Sequence, residues 1–306
     1  MRRDREPRVH ARSQRRVGAV NPWIVGARPK TLPAAVVPVA VGLAAAAGSD
    51  DVRWWLGTPA LVVSLALQIG VNYANDYSDG IRGTDEVRVG PLRLVGSGLV
   101  APRKVKFAAF AALGIAAVAG LVIALATSLW LLAVGVAAIT AAWFYTGGKN
   151  PYGYMGLGEV FVFVFFGLVA TVGSTFAVTE RLPSLSWLAS VPVGCLACAL
   201  LVVNNLRDIP TDTLAGKKTL AVRLGDRRTR VLYSALCVVA GVFVVLTGVQ
   251  RPSAVLGLLG LVAVGPGLAA VRGGAQGRDL IPVLGATGRA QMMFGLTFAV
   301  GLLIGA

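Results

Sequence analysis

Apolar residues run along this chain in long unbroken stretches rather than in the 3.6- or two-residue alternation of a soluble helix or strand. Nine such stretches stand out, at roughly 31–48, 54–74, 105–127, 129–145, 157–178, 186–206, 229–249, 253–271 and 287–305. A helix needs about 20 mostly apolar residues to cross a bilayer. The pattern therefore predicts an all-α, polytopic membrane protein with nine transmembrane helices. Pro38, Pro59, Pro192 and Pro266 fall inside the stretches, where neighbouring helices tolerate kinks and small residues permit close packing.

Composition supports this class. Of 306 residues, 56% are hydrophobic and 14% charged, against about 25% charged in an ordinary soluble protein. The single histidine, His10, precedes every apolar stretch, so imidazole-based acid–base chemistry and histidine metal sites are excluded from the membrane part. Cys195 and Cys198 lie within an apolar stretch with no charge nearby, and are expected to be reduced packing residues.

Charge predicts the topology. The tail before the first stretch and every second connection hold 26 of the 29 Lys and Arg. By the positive-inside rule the N-terminus is then cytoplasmic and, after nine spans, the C-terminus is outside. The net charge of +15 reads as a topology signal and an attraction to anionic lipid headgroups, with no nucleic-acid partner expected. Residues 1–20 form a basic tail, expected to be disordered at the membrane surface, and 21–306 a single nine-helix domain.

The 14 acidic residues are distributed more tellingly. One cluster runs Asn72-Tyr-Ala-Asn75-Asp76-Tyr-Ser-Asp79 and on to Asp85; the other runs Asn204-Asn205-Leu-Arg207-Asp208-Ile-Pro-Thr-Asp212, followed by Lys217 and Lys218. Both sit at the predicted cytoplasmic ends of helices. Asn-x-x-x-Asp occurs in each, four spans apart, which suggests an internal duplication with one functional loop per half. On a helix Asp76 and Asp79 are i,i+3 and Asp208 and Asp212 are i,i+4, so each pair shares a face. Like charges at the negative end of a helix dipole need a cation, and Mg2+ suits one or two carboxylates together with substrate phosphates. Lys149 is the only charge in its connection, and Arg28 lies at the mouth of the first span. Phe161, Phe163, Phe165 and Phe166 offer ring faces to an isoprenoid chain or to an allylic cation.

The Asn75–Asp85 and Asn204–Leu220 runs, with Tyr145-x-x-x-Lys149 and nine spans, resemble the UbiA superfamily of intramembrane prenyltransferases. The Arg28-Pro-Lys-Thr-Leu-Pro and Gly153-Tyr-Met-Gly-Leu-Gly-Glu159 runs are most similar to its 1,4-dihydroxy-2-naphthoate polyprenyltransferases of menaquinone synthesis. The resemblance implies a central cavity opening to the cytoplasmic side of the cell's inner membrane. It implies Mg2+ held by Asp76, Asp79, Asp208 and Asp212, with Asp85, and a polyprenyl diphosphate transferred to 1,4-dihydroxy-2-naphthoate with loss of CO2. Asn72, Tyr145 and Lys149 then fall on the diphosphate side, with Arg207, Lys217 and Lys218 as further candidates there; Asn75 and Asn204 are expected to bind substrate, and Glu159 and Arg28 are candidates for the acceptor. Two alternatives stay open. A relative with another aromatic acceptor, 4-hydroxybenzoate or homogentisate, would use the same motifs, and an ion-coupled transporter also carries intramembrane acids, though nearer the midplane.

Overall fold

The computed structural model describes residues 21–84 and 93–306; the basic tail and residues 85–92, Asp85 among them, lie outside the described residues. Every long element among them is helical, as the apolar pattern predicts. A short helix α1 (Pro22–Ala27) and α2 (Pro33–Ala46) form a pair bent by 51°. Then follow α3 (Gly57–Ile81), α4 (Pro102–Ala126), α5 (Trp130–Phe144), α6 (Gly158–Thr179), α7 (Ser184–Leu214), α8 (Leu220–Gln250), α9 (Pro252–Arg272) and α10 (Leu280–Ile304).

The count of nine full spans is corrected in detail. Among the described residues seven helices are long and apolar enough to cross a membrane, and the bent α1–α2 pair, taken as one span, makes an eighth. The fourth stretch, 129–145, becomes α5, whose 15 residues reach only about 22 Å at 1.5 Å per residue, short of the roughly 30 Å hydrocarbon core. Its length is cut where Gly147 and Gly148 turn the chain. Gly148 has φ +77°, and Arg82 donates to the carbonyls of Thr146 and Gly148. The predicted ends of α3 and α7 are also too early: both helices run through their acidic motifs, to Ile81 and Leu214.

Helix α7 is the central post, with 78% of its apolar window buried against 28% in α8. Val193, Leu196, Val203, Tyr233, Val244, Phe294 and Phe298 close the core around it. Val118, Leu125, Val136, Val249 and Leu296 point outward and exposed, as suits helices whose solvent is lipid. Cys195 and Cys198 are free and buried. At the end of the bundle opposite the acidic motifs, Arg251 donates to the carbonyls of Ala44, Ala47 and Leu302 at 2.8–3.3 Å. It thereby satisfies terminal carbonyls that a helix leaves unpaired.

Lipid tails are as apolar as leucine, so helices here are held by close packing rather than by exclusion of water. One close crossing is α6 on α7, where a Cβ on Gly167 would lie 2.6 Å from the Cα of Gly194. Gly167→Val must push the two helices apart; the expected loss is about 1–3 kcal/mol, as for overpacked cores, read as a lower melting temperature of the detergent-solubilised protein. Unchanged melting would show that the crossing is loose. Around this contact Phe163–Val169 winds as a π-helix, a widened turn that recurs at functional sites.

Candidate active site

A cavity of about 450 Å3 opens among α2, α3, α4, α5, α6 and α7, within the range typical of small-ligand sites. Its wall follows helix periodicity. Ser64, Gln68, Asn72, Asn75 and Asp79 descend one face of α3, and Ala197, Leu201, Asn204, Asn205, Asp208 and Asp212 one face of α7. The two acidic motifs thus meet at one end of the cavity, while Phe161, Phe165 and Phe166 of α6 line its apolar part. Phe163 instead packs against the core, beneath Gly194.

At the polar end Asp79 is a hub. Its Oδ1 accepts from Lys217 Nζ at 3.2 Å and from the Tyr154 hydroxyl, and its Oδ2 faces Arg93 at 3.5 Å. Three connections of the chain therefore converge on one carboxylate. Burial first, and then the adjacent Asp79 carboxylate, push the Tyr154 phenol up, so it keeps its proton at neutral pH and serves as a donor. Across the cavity Asp208 takes a two-pronged contact from Arg207, Nε and Nη2 each at 2.7 Å, and Arg207 Nη2 also reaches Asn204 Oδ1 at 2.8 Å.

The amides are built in with equal care. Asn72 Nδ2 donates to the Ala27 carbonyl at 2.9 Å and to Thr31 Oγ1 at 3.1 Å, tying α3 to the break between α1 and α2. That break carries Arg28 at φ +52°, a left-handed backbone unusual for a residue with a Cβ, and Arg28 lines the cavity. Asn75 Oδ1 accepts from Thr146 Oγ1 at 2.8 Å, and Tyr145 beside it lines the wall.

Not every residue expected at the site arrives there. Asp76 is fully buried and does not line the cavity. Its two oxygens accept the backbone N–H groups of Leu94 and Val95, each at 2.9 Å, because its position on α3 turns it toward the returning chain rather than toward α7. Lys149 is exposed beyond the Gly147–Gly148 turn, and Lys218 is exposed as well, its backbone N–H bonded to the Tyr154 carbonyl at 2.9 Å. Arg207 acts through its neighbours rather than on the cavity wall. Glu159 is buried behind the wall, held by Asn205 at 2.9 Å. Asp85 lies outside the described residues. Conversely, Arg93, Tyr154, Thr146 and Gln68 belong to the site and carry no recognisable spacing in the sequence; Tyr154 and Thr146 fall within runs that the resemblance singles out, but not at the positions that define them.

Whether this end suits Mg2+ is a question of donors. Among the described residues no three acidic, histidine or cysteine side chains come together as a ready-made metal cage. Asp79, Asp208 and Asp212 nevertheless all line this one cavity and offer carboxylate oxygens to it. Mg2+ ordinarily completes its shell with waters and substrate phosphates, so this donor set fits an ion that arrives with a diphosphate.

Comparison with known proteins agrees with the fold and motifs. Residues 35–279 match the UbiA prenyltransferase family. The chain is 53% identical to a 1,4-dihydroxy-2-naphthoate octaprenyltransferase of Mycobacterium tuberculosis, covering 92% of this chain and 97% of that protein. It is 33% identical to the Bacillus subtilis protein of the same name, covering 90% of each. Among solved structures, a UbiA homolog from Aeropyrum pernix K1 superposes with a TM-score of 0.67 at 16% identity, over 88% of this chain and 97% of that one. A UbiA homolog from Archaeoglobus fulgidus bound to GPP and Mg2+ superposes with a TM-score of 0.58 at 14% identity, over 92% of this chain and all of that one. This chain, a multi-pass membrane protein with paired acidic motifs around one cavity, belongs to the UbiA prenyltransferase family.

Proposed function

We propose that this enzyme transfers a polyprenyl group from polyprenyl diphosphate to 1,4-dihydroxy-2-naphthoate, releasing diphosphate and CO2. The observation that carries the reading is the polarity of the cavity. Asp79, Asp208, Asp212, Lys217 and Arg28 gather at one end and Phe161, Phe165 and Phe166 line the rest, so a molecule with a charged head and a long apolar tail fits in one orientation. The relatives' names supply the acceptor.

In this reading Lys217 and Arg28 face the diphosphate, and the carboxylates of Asp79, Asp208 and Asp212 are the groups that would hold Mg2+. When bound, the ion offsets charge between carboxylates and phosphates and stabilises the leaving diphosphate. The allylic C–O bond breaks and its electron pair leaves with diphosphate. The prenyl carbon bonds to the ring carbon that carries the carboxylate, and the C–CO2 electron pair returns to the ring as CO2 departs. The product is the demethylmenaquinone skeleton in its quinol form. No protein base is required for the ring, consistent with a cavity free of histidine. The phenylalanine faces stabilise developing allylic charge, and the apolar walls exclude water that would otherwise capture it.

The basic connections favour placement in the cytoplasmic membrane with the N-terminus and the acidic motifs on the cytoplasmic side and the C-terminus outside. The tail at 1–20 would then lie against anionic headgroups.

Two experiments test the reading. With a fixed polyprenyl diphosphate, kcat/KM should be highest for 1,4-dihydroxy-2-naphthoate among a panel that includes 4-hydroxybenzoate and homogentisate. A higher value for either of those would move the acceptor while keeping the family. Lys217→Ala should raise KM for the diphosphate donor about tenfold, the worth of one charge-assisted contact, with KM for the naphthoate little changed. An equal rise in both constants would remove Lys217 from the donor side.

A further inference from the structure

Behind the wall of the cavity, on α6, lies a carboxylate that the transfer chemistry does not use. Glu159 is 7% exposed, and its Oε1 accepts the Asn205 Nδ2 hydrogen bond at 2.9 Å. Its Oε2 is buried without a hydrogen-bond partner among the described residues. A carboxylate placed this deep between membrane helices carries a desolvation cost, so its retention calls for a role. Cys198, about two turns from Asn205 on α7, donates to the Glu159 carbonyl at 3.2 Å and fixes the backbone of the first turn of α6 at this point.

Asn205 itself lines the cavity. It sits one turn from Asp208 on the same face of α7, and Leu201 follows one turn further on. Its place is therefore between the carboxylate end and the apolar part, where the allylic carbon of a seated donor meets its acceptor. An amide has two distinct ends. Glu159 Oε1, behind the wall, takes one of the two N–H donors and so holds the amide nitrogen on its own side, which turns the carbonyl Oδ1 toward the cavity.

We infer that Glu159 is a positioning residue that locks the Asn205 amide with its carbonyl toward the cavity, and that Asn205 Oδ1 accepts a hydrogen bond from one ring hydroxyl of the aromatic acceptor. The pair thereby selects dihydroxylated rings, turns the ring carbon toward the donor, and raises its electron density as the hydroxyl proton is shared. This rests on the acceptor reading above. A site that hydrogen-bonds a substrate hydroxyl discriminates strongly against the analogue that lacks it, since its own polar group is otherwise left unpaired.

The test compares 1,4-dihydroxy-2-naphthoate with its 1-O-methyl and 4-O-methyl ethers, as kcat/KM in detergent with saturating polyprenyl diphosphate and Mg2+. In the wild type one of the two ethers should be penalised at least tenfold more than the other. Glu159→Leu frees the amide to rotate, and Asn205→Ala removes it; each should shrink that difference about tenfold. The double variant should shrink it no further, because both changes break one interaction. KM for the diphosphate donor should stay within about twofold throughout, a split that a merely structural role would not produce. If Glu159→Leu does not fold, Asn205→Ala on the cavity wall still decides the matter. Wild type that prenylates the naphthoate while both variants keep the full ether penalty overturns the assignment of this pair alone. Wild type that fails on the naphthoate overturns the acceptor reading first.

Discussion

Asp79→Asn is expected to lower prenyl transfer by at least about a thousandfold while leaving the helical fold intact. Asp79 is where three connections meet: Lys217, Tyr154 and Arg93 all direct donors at its carboxylate, and it stands on the cavity wall facing Asp208 and Asp212 across the polar end. Amide for carboxylate keeps the shape and one acceptor but removes the charge. Loss of one preorganised electrostatic contact to developing charge costs about 10²–10³ in rate, and a change that also weakens an ion's hold on the diphosphate should exceed it. Asp76→Asn provides the contrast. Its oxygens hold the Leu94 and Val95 amides, so the variant should melt at a lower temperature and lose activity in proportion to the loosened segment. Rates above a tenth of wild type in Asp79→Asn would show that the reaction does not depend on this carboxylate.

The second large effect is on stability. Arg207 and Asp208 form an ion pair at 2.7 Å with side chains 1% and 5% exposed. Removing one partner of a buried pair typically costs about 3–5 kcal/mol. Arg207→Met should therefore destabilise the detergent-solubilised protein by about that much, and should lower activity because Asp208 and Asn204 both lose the guanidinium contact that orients them. Arg207→Met combined with Asp208→Leu should recover most of the stability, since a buried pair replaced by apolar groups is often neutral, yet none of the activity. A double variant as unstable as the single one would mean that the pair is not the source of the loss.

How much of this was legible before the fold was in view differs between levels. The helical class followed from the length of the apolar stretches alone, because only helices and closed barrels satisfy their backbone in lipid. The short α5 did not, since hydropathy is blind to where a glycine turn and the Arg82 contacts stop a helix. Spacing placed Asp208 and Asp212 on one face, as α7 bears out by continuing through them. The same spacing grouped Asp76 with Asp79. Helix α3 does continue through both, but Asp76 is claimed by a returning segment that no local pattern announces. Lys217 rather than Lys149 meets the acids for a similar reason: both are loop cations, and only the folded connections decide which one reaches inward. Tyr154 and Arg93 come from distant parts of the chain and converge on Asp79, a placement that depends on tertiary structure. Glu159 was visible as an acid in a glycine-rich run, while its bond to Asn205, 46 residues away, was not.

One measurement bears on the central claim most directly. The purified protein is given a polyprenyl diphosphate and 1,4-dihydroxy-2-naphthoate labelled at the carboxylate carbon, with Mg2+ or with EDTA, and prenylated product and labelled CO2 are counted together. The account predicts one CO2 per product with Mg2+, neither with EDTA, and recovery of both when Mg2+ is restored. Product that retains the label, or equal turnover in EDTA, would contradict it.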